Sequence, residues 1–362
     1  MNVVTDNRIP SLDGLRTVSI ALVIASHVLY GFHIMPAANI GDLGVRIFFV
    51  ISGFLITGIL AKEMGKTGTV DLLRFYYRRT LRIFPPYYFL LGLLALFAVL
   101  GKVAVTGYQL LPALSYTSDY IFPGAWDLDH AWSLSVEEQF YLLFPGVLLL
   151  AGRRKSVWLL ASTLVLCPLL RKVDYHYFVS GAPIWLTKGF QSNLDTFAVG
   201  CLLALVRERL HQNVLYRRML ASPATLLVPI AVFVINSQID YAGLNLGLSY
   251  SVENILMAVM IDRAVTHSGD LLGRALNTRA MVFVGMMSYS IYLWQQPFLD
   301  PQPASAIFRF PFNLIGFVVM VGVSYFVVER YSQRIRQRCE NYLFARFRRP
   351  GMLETPAEPV AG

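Results

Sequence analysis

The stretch LDGLRTVSIALVIASHVLYGF, residues 12–32, decides how the rest of the chain is interpreted. It is an apolar run of the length that crosses a bilayer, about 20 residues, yet it contains Arg16 and His27. Ionisable side chains are costly in hydrocarbon unless they face a partner or a water-filled cavity. The first helix therefore predicts a membrane protein with a polar site in its interior.

Apolar runs of similar length recur along the chain, which is 56% hydrophobic and only 15% charged. This pattern predicts an all-α integral membrane protein with about ten transmembrane helices. No Ala-x-Ala-like cleavage site follows the first span, so we expect that helix to be retained. The predicted spans are residues 12–33, 41–61, 83–101, 132–151, 156–171, 189–206, 222–237, 247–262, 280–299 and 311–330.

The net charge of +9 follows the predicted topology. With the N-terminus inside, most of the 31 Lys and Arg residues fall in inner segments, which indicates cytoplasmic termini in a cell inner membrane rather than nucleic-acid binding. We expect one membrane domain, residues 1–344, and a disordered cytoplasmic tail, residues 345–362. The widely spaced cysteines predict neither a disulfide framework nor a metal site. The outer loops hold Lys102, Arg171, Lys172, Lys188 and Arg309.

Polar residues from six predicted spans lie at one depth, about 6–10 Å below the outer boundary at 1.5 Å per residue. A lone intramembrane histidine is often a packing residue, and Arg46 could simply pair with a carboxylate. A whole layer of such groups instead predicts a functional cavity. The layer comprises His27, Arg46, Glu137, Glu138, Asn193, Asp195, Glu253, Asn254, Tyr292, Gln295 and Gln296.

Two further patterns point to chemistry. Arg16 and His27 share one face of the first helix, separated by about 16 Å along its axis, and an imidazole suits a general base acting on a hydroxyl. A second cluster, in DLLRFYYRRTLRIFPPYY (residues 71–88), places Arg74, Arg78, Arg79 and Arg82 at helical spacings. Guanidinium groups there favour either a phosphate-bearing ligand or anionic lipid headgroups, and the sequence does not choose.

The chain resembles the acyltransferase-3 family of integral membrane acyltransferases. The resemblance rests on SLDGLR followed by His27, LGVRIFFVISGFLITGIL, FYYRRTLRIFPPYY, WSLSVEEQFYLLFP, LDTFAVGCLLA and GMMSYSIYLWQQPF, in the family's order from residue 10 to about 300. It implies transfer of an acyl group, usually acetyl from acetyl-CoA, to a hydroxyl of an extracytoplasmic glycan. It also implies an essential role for His27 and important roles for Arg16, Arg79, Arg82 and Glu137. The family often has a histidine where Gln295 stands.

On this reading, His27 is a general base made more basic by a carboxylate such as Glu137, and an acyl-histidine intermediate is the alternative. The phosphates of acyl-CoA are expected near Arg78, Arg79 and Arg82, with its arm passing Arg16. Arg46, Asp195 and Gln295 are expected to contact substrate in the outer layer, and Arg46, Gln295 or a backbone amide could stabilise an oxyanion. No metal is expected.

Two other function classes stay open from the residues alone. A proton-coupled transporter could use His27 and the carboxylates as a relay, although transporters generally bind at the midplane and often contain inverted repeats. A partner in polysaccharide export without activity is the third reading. The loops identify neither the acceptor sugar nor the oligomeric state.

Overall fold

The computed structural model describes residues 8–31, 37–121, 124–177, 188–237 and 245–345. Regular structure in these residues is helical, with no β-strand among them, which confirms the predicted all-α class. Short 3₁₀ turns occur at Trp126–Leu128, Pro223–Leu227 and Ala306–Phe308. The helices are α1 Pro10–Gly31, α2 Ala37–Thr67, α3 Leu72–Val99, α4 Gly107–Leu114, α5 Ala131–Tyr177, α6 Phe190–Gln212, α7 Val214–Ala221, α8 Val228–Ser237, α9 Asn245–Thr266, α10 Leu271–Leu276, α11 Arg279–Phe298, α12 Phe312–Gly322 and α13 Arg330–Ala345, with a π-helical segment Val323–Glu329 before α13.

Several of the described helices are long and apolar enough to cross a membrane, so the chain forms a multi-pass membrane protein. Five pass a test of length and composition, or six if a pair bent by 58° counts as one span. The count of ten crossings and the cytoplasmic termini stay predictions, and the predicted tail beyond Ala345 lies outside the described residues. The five are Pro10–Gly31, Ile40–Thr67, Leu72–Val99, Trp126–Val173 and Phe312–Glu340, and the bent pair is Val214–Ala221 with Pro223–Ser237.

Helix α5 contains two of the predicted spans, 132–151 and 156–171. Gly152 interrupts it with a φ of 68° and a ψ of 170°, a conformation that glycine adopts without steric cost. The apolar stretch Trp126–Val173 is 48 residues long, and one crossing needs only about 20. The break at Gly152 therefore lies where the sequence predicts the turn between two crossings.

Helices α6, α9 and α11 fail the same test because they bury polar side chains inside the bundle. Asp195 of α6, Glu253 of α9 and Gln295 and Gln296 of α11 are all fully buried. Average hydropathy counts a polar residue equally whether it faces lipid or protein. The buried polar groups of these helices are therefore candidates for a functional site.

Helix α2 is the most enclosed of these spans, with 78% of its apolar window buried. The ring of Phe49 stacks on Phe197 of α6 at 4.5 Å between centroids. A Cβ atom on Gly53 would lie 2.3 Å from the carbonyl oxygen of Phe197, and one on Gly200 would lie 2.1 Å from that of Val50. The backbones of α2 and α6 thus meet at two glycines, as expected where small residues let membrane helices approach closely.

Helix α1 is held between α2 and α11 by the same device. A Cβ atom on Gly44 of α2 would lie 2.6 Å from the carbonyl oxygen of Ser19. One on Gly285 of α11 would lie 1.9 Å from that of Asp13. These contacts fix α1 against α11, so the side chains of the two helices meet further along their lengths.

The α2–α6 contact makes a direct prediction for stability. Gly53→Val should destabilise the protein by roughly 1–3 kcal/mol or more, because the added methyl groups would overlap backbone atoms. Gly58→Val in the same helix is the control, since nothing lies within 4 Å of a Cβ there. Thermal unfolding of the purified protein in detergent measures both variants. Equal midpoints for the two would contradict the close contact.

Candidate active site

His27 lies in the last turns of α1 and pairs with Gln295 of α11. Its Nδ1 is 2.6 Å from Oε1 of Gln295. Nε2 of Gln295 donates to Oε1 of Gln296 over 3.1 Å, which turns the carbonyl oxygen of Gln295 toward the imidazole. A carbonyl oxygen only accepts, so Nδ1 carries the proton of the neutral ring and Nε2 keeps its lone pair. His27 is thereby prepared to take a proton at Nε2.

Aromatic side chains close over this histidine. The Trp126 indole meets His27 edge to face at 5.6 Å and stacks on Tyr30 at 5.5 Å. Its Nε1 donates to the carbonyl oxygen of Gln296 over 2.8 Å, which ties the loop before α5 to α11. Trp126 therefore contacts His27 directly.

A second cluster forms where α3, α5 and α2 meet. Ser52 Oγ donates to Oε1 of Glu137 over 2.5 Å, and the Tyr141 hydroxyl donates to the same oxygen. The Arg79 guanidinium lies over the Tyr141 ring, 4.4 Å from its centroid. Arg79 also interacts electrostatically with Glu137 and with Arg82.

Arg16 and Arg82 complete this group, which we call the arginine cluster: Arg16, Arg79, Arg82, Glu137, Tyr141 and Glu329. Arg16 pairs with Asp13 one turn earlier, at 3.0 Å, and interacts electrostatically with Arg82. The Arg82 side chain is exposed. Within the described residues neither Arg79 nor Arg82 forms a salt bridge, so the cluster carries guanidinium charge that an anion could meet.

Glu329 is a buried carboxylate of the arginine cluster that the sequence does not single out. It closes the π-helical segment, is 5% exposed, and accepts from Ser290 over 3.4 Å and from Gln333 over 3.1 Å. It interacts electrostatically with Arg82 and Arg16. Short π-helical segments occur often at functional sites. The available signal was a lone carboxylate at the end of the apolar run 311–330.

The contacts of this structure do not join His27 to Glu137, so the hypothesis that a carboxylate such as Glu137 orients His27 stays a prediction. The imidazole bonds to the amide of Gln295, and Glu137 belongs to the arginine cluster with Ser52 and Tyr141. The sequence depth of Glu137 matches that of His27. In the structure, its partners are instead Ser52 and Tyr141.

Arg46 and Asp195 also lie apart from His27, in a separate ion-pair network. Arg46 pairs with Glu253 and lies 4.1 Å from the Tyr250 ring centroid. Asp195 binds Arg171 through both oxygens, at 3.0 and 2.8 Å, and the two residues are 0% and 1% exposed. The expectation that Arg46 or Asp195 contacts substrate stays a prediction; in this arrangement each of the two side chains is engaged in a buried ion pair.

Arg78 is likewise outside the arginine cluster. Its Nε donates to Glu340 of α13 at 3.0 Å, and Arg74 reaches the same carboxylate at 2.7 Å. The run of four arginines thus divides by partner: Arg74 and Arg78 fasten α13 through Glu340, whereas Arg79 lies over Tyr141 and the exposed Arg82 interacts electrostatically with Arg16 and Glu329. No three His, Cys, Asp or Glu side chains in the described ranges converge as a metal site would need.

The fold and these contacts define a multi-pass helical membrane protein whose first helix carries a base-competent histidine above an arginine cluster. A family model described as an acyltransferase domain matches residues 9–329. The chain belongs to the acyltransferase-3 family, as its motifs predict.

Curated relatives agree with this family. The chain is 29% identical over 312 residues to the O-acetyltransferase OatA of Staphylococcus aureus, covering 80% of this chain and 50% of the relative. It is 30% identical over 315 residues to the putative peptidoglycan O-acetyltransferase YrhL of Bacillus subtilis, covering 80% and 48%. The chain thus spans about half the length of these relatives. No solved structure matches it.

The ion-pair network makes a prediction that separates structural from functional charges. Asp195→Asn leaves Arg171 buried without its carboxylate and should cost roughly 3–5 kcal/mol of stability. Replacing both residues by apolar ones, in Arg171→Met/Asp195→Leu, should recover much of the loss. The control is Glu208→Gln, which removes an exposed pair with Arg153 at 3.9 Å and should leave thermal unfolding unchanged. A double variant no more stable than Asp195→Asn would contradict this account.

Proposed function

We propose that this protein is a membrane O-acyltransferase that moves an acyl group, acetyl in the first instance, from cytoplasmic acyl-CoA to a hydroxyl of an extracytoplasmic glycan. The names of the two relatives, both O-acetyltransferases, support this reaction class. The observation that carries the proposal is the pairing of His27 Nδ1 with Gln295, because it leaves Nε2 unprotonated for a hydroxyl. An inner-membrane location goes with this proposal.

The proposed reaction transfers one proton and replaces the C–S bond of a thioester by the C–O bond of an ester. Nε2 of His27 takes the proton of the acceptor hydroxyl while the oxygen attacks the thioester carbonyl. The C–S bond breaks, an ester forms, and the proton passes to the leaving thiolate, so the histidine ends as it began. An acyl-histidine would use the same nitrogen as a nucleophile. The hydrogen bond at Nδ1 supports either course and removes the need for a carboxylate beside His27.

The arginine cluster suits the donor. Arg79 and Arg82 have no salt-bridge partner among the described residues, and Arg82 is exposed, so phosphate oxygens of acyl-CoA would find two guanidinium groups there. Arg16 stands on the same helix as His27, which links the donor end of the site to the hydroxyl end. The chain's own residues thus supply an anion site on α3 and α1 and a base at the far end of α1, an asymmetry that favours transfer over transport.

His27 is the first residue to test. His27→Ala should lower transfer by about 10²–10⁴-fold, the contribution typical of a general base, while the protein still inserts in the membrane. The measurement is base-released acetate from surface glycans of a strain that carries the variant in place of the wild-type gene, with mass spectrometry of the glycan. His267→Ala, before α10 and far along the chain from this site, is the control. Wild-type levels of ester with His27→Ala would overturn the proposal.

The donor site has its own test. Arg79→Gln and Arg82→Gln should each weaken CoA binding by roughly 10- to 100-fold, since a charge-assisted hydrogen bond contributes about 1.5–3 kcal/mol. Calorimetry on the purified protein in nanodiscs measures this. Arg154→Gln, an exposed arginine after the Gly152 break, is the matched control. A wild-type protein that does not bind CoA would favour the transporter or the export partner instead.

A further inference from the structure

His130, immediately before α5, is a buried histidine that the chemistry above does not use. It is 2% exposed, and neither Nδ1 nor Nε2 has a hydrogen-bond partner among the described residues. An unpaired buried polar group costs about 1–3 kcal/mol. Because buried polar groups in folded proteins are nearly always satisfied, two open nitrogens on one ring call for a ligand or a bound solvent molecule.

The position of His130 is fixed by its own backbone. Its carbonyl oxygen accepts from Ser133 Oγ over 3.0 Å and lies 3.4 Å from the Tyr292 hydroxyl oxygen. Ser133 and Tyr292 also hydrogen-bond to each other at 2.5 Å. The imidazole meets the Tyr292 ring edge to face at 5.6 Å. These contacts hold the ring in place, and none of them uses either ring nitrogen.

His130 lies in the same region of the bundle as His27. His130 interacts electrostatically with His27, and its neighbour Tyr292 shares a face of α11 with Gln295, three residues on, and Gln296, four residues on. Gln296 is 0% exposed, and its Nε2 has no partner among the described residues although its two oxygens are engaged. Unpaired groups on two elements therefore flank the Gln295–His27 pair.

We propose that His130 and Gln296 bind the acceptor, through hydroxyls that neighbour the one His27 deprotonates. A neutral imidazole offers one donor and one acceptor, and Nε2 of Gln296 offers a second donor. This set matches adjacent hydroxyls, each of which both donates and accepts, so the ligand class is a polyhydroxylated one such as a sugar. The Trp126 indole beside His27 supplies an aromatic surface of the kind that packs on an apolar sugar face. This assignment rests on the proposed function.

The test separates acceptor from donor in one assay. The full chain in nanodiscs receives acetyl-CoA and the surface glycan of the same strain after removal of its esters by mild alkali. In His130→Phe, which keeps a ring of similar size but no hydrogen bonds, the KM for the glycan should rise roughly tenfold or more while the KM for acetyl-CoA stays unchanged. His130→Gln, which restores a donor and an acceptor, should recover part of the loss. His267→Phe is the control.

Each outcome of this assay either supports or overturns the assignment of His130 to acceptor binding. An unchanged KM for the glycan in His130→Phe overturns the assignment and leaves ordered water as the occupant of the space. An equal rise in both KM values, or a loss of folding that His130→Gln does not repair, also overturns it, since either result means a structural role. If the wild-type chain forms no ester at all, the proposed function fails and the acceptor assignment fails with it.

Discussion

The constraint on which this structure depends is that a polar side chain in an apolar bundle must find its partner on another helix. His27 of α1 meets Gln295 of α11, Glu137 of α5 meets Ser52 of α2, and Asp195 of α6 meets Arg171 of α5. Each contact joins elements that lipid-facing apolar surface alone would not hold in register, because lipid tails compete equally well for apolar side chains. The polar contacts therefore specify the arrangement of the helices as well as the chemistry.

The helices and the family could be predicted from the sequence, but only part of the candidate site could. The relation between Arg16 and His27 could be predicted because both lie on one helix, where spacing fixes direction. The partners of Arg46 and Asp195 could not, because depth along a span says nothing about which way the span is rotated. The substitution of Gln295 for the histidine of many relatives was visible, while its role as the partner of His27 needed the packing of α1 on α11. Glu329 was hidden by a π-helical turn, which has no sequence signature.

The relatives support O-acetylation as the reaction class, but they match this chain over only part of their length. The matched part is about half of their own length, and their names concern O-acetylation. What this chain contributes by itself is an arrangement in which the base, its orienting amide and the unpaired groups around it come from three elements: α1, α11 and the segment that enters α5. Specificity for the acceptor is therefore expected to reside in the loop before α5 and the last turns of α11, and specificity for the donor in α3.

Helix α5 connects the two ends of this site. Ser133 belongs to the contacts around His130, while Glu137 and Tyr141 belong to the arginine cluster, each one turn further along the same helix. From Ser133 to Tyr141 is about 12 Å at 1.5 Å per residue. A continuous helix cannot shorten, so the separation between the two ends is a fixed length. On the proposed function, the flexible arm of the donor then spans the distance between the two ends of the site. The protein sets that distance and does not itself move the acyl group across the membrane.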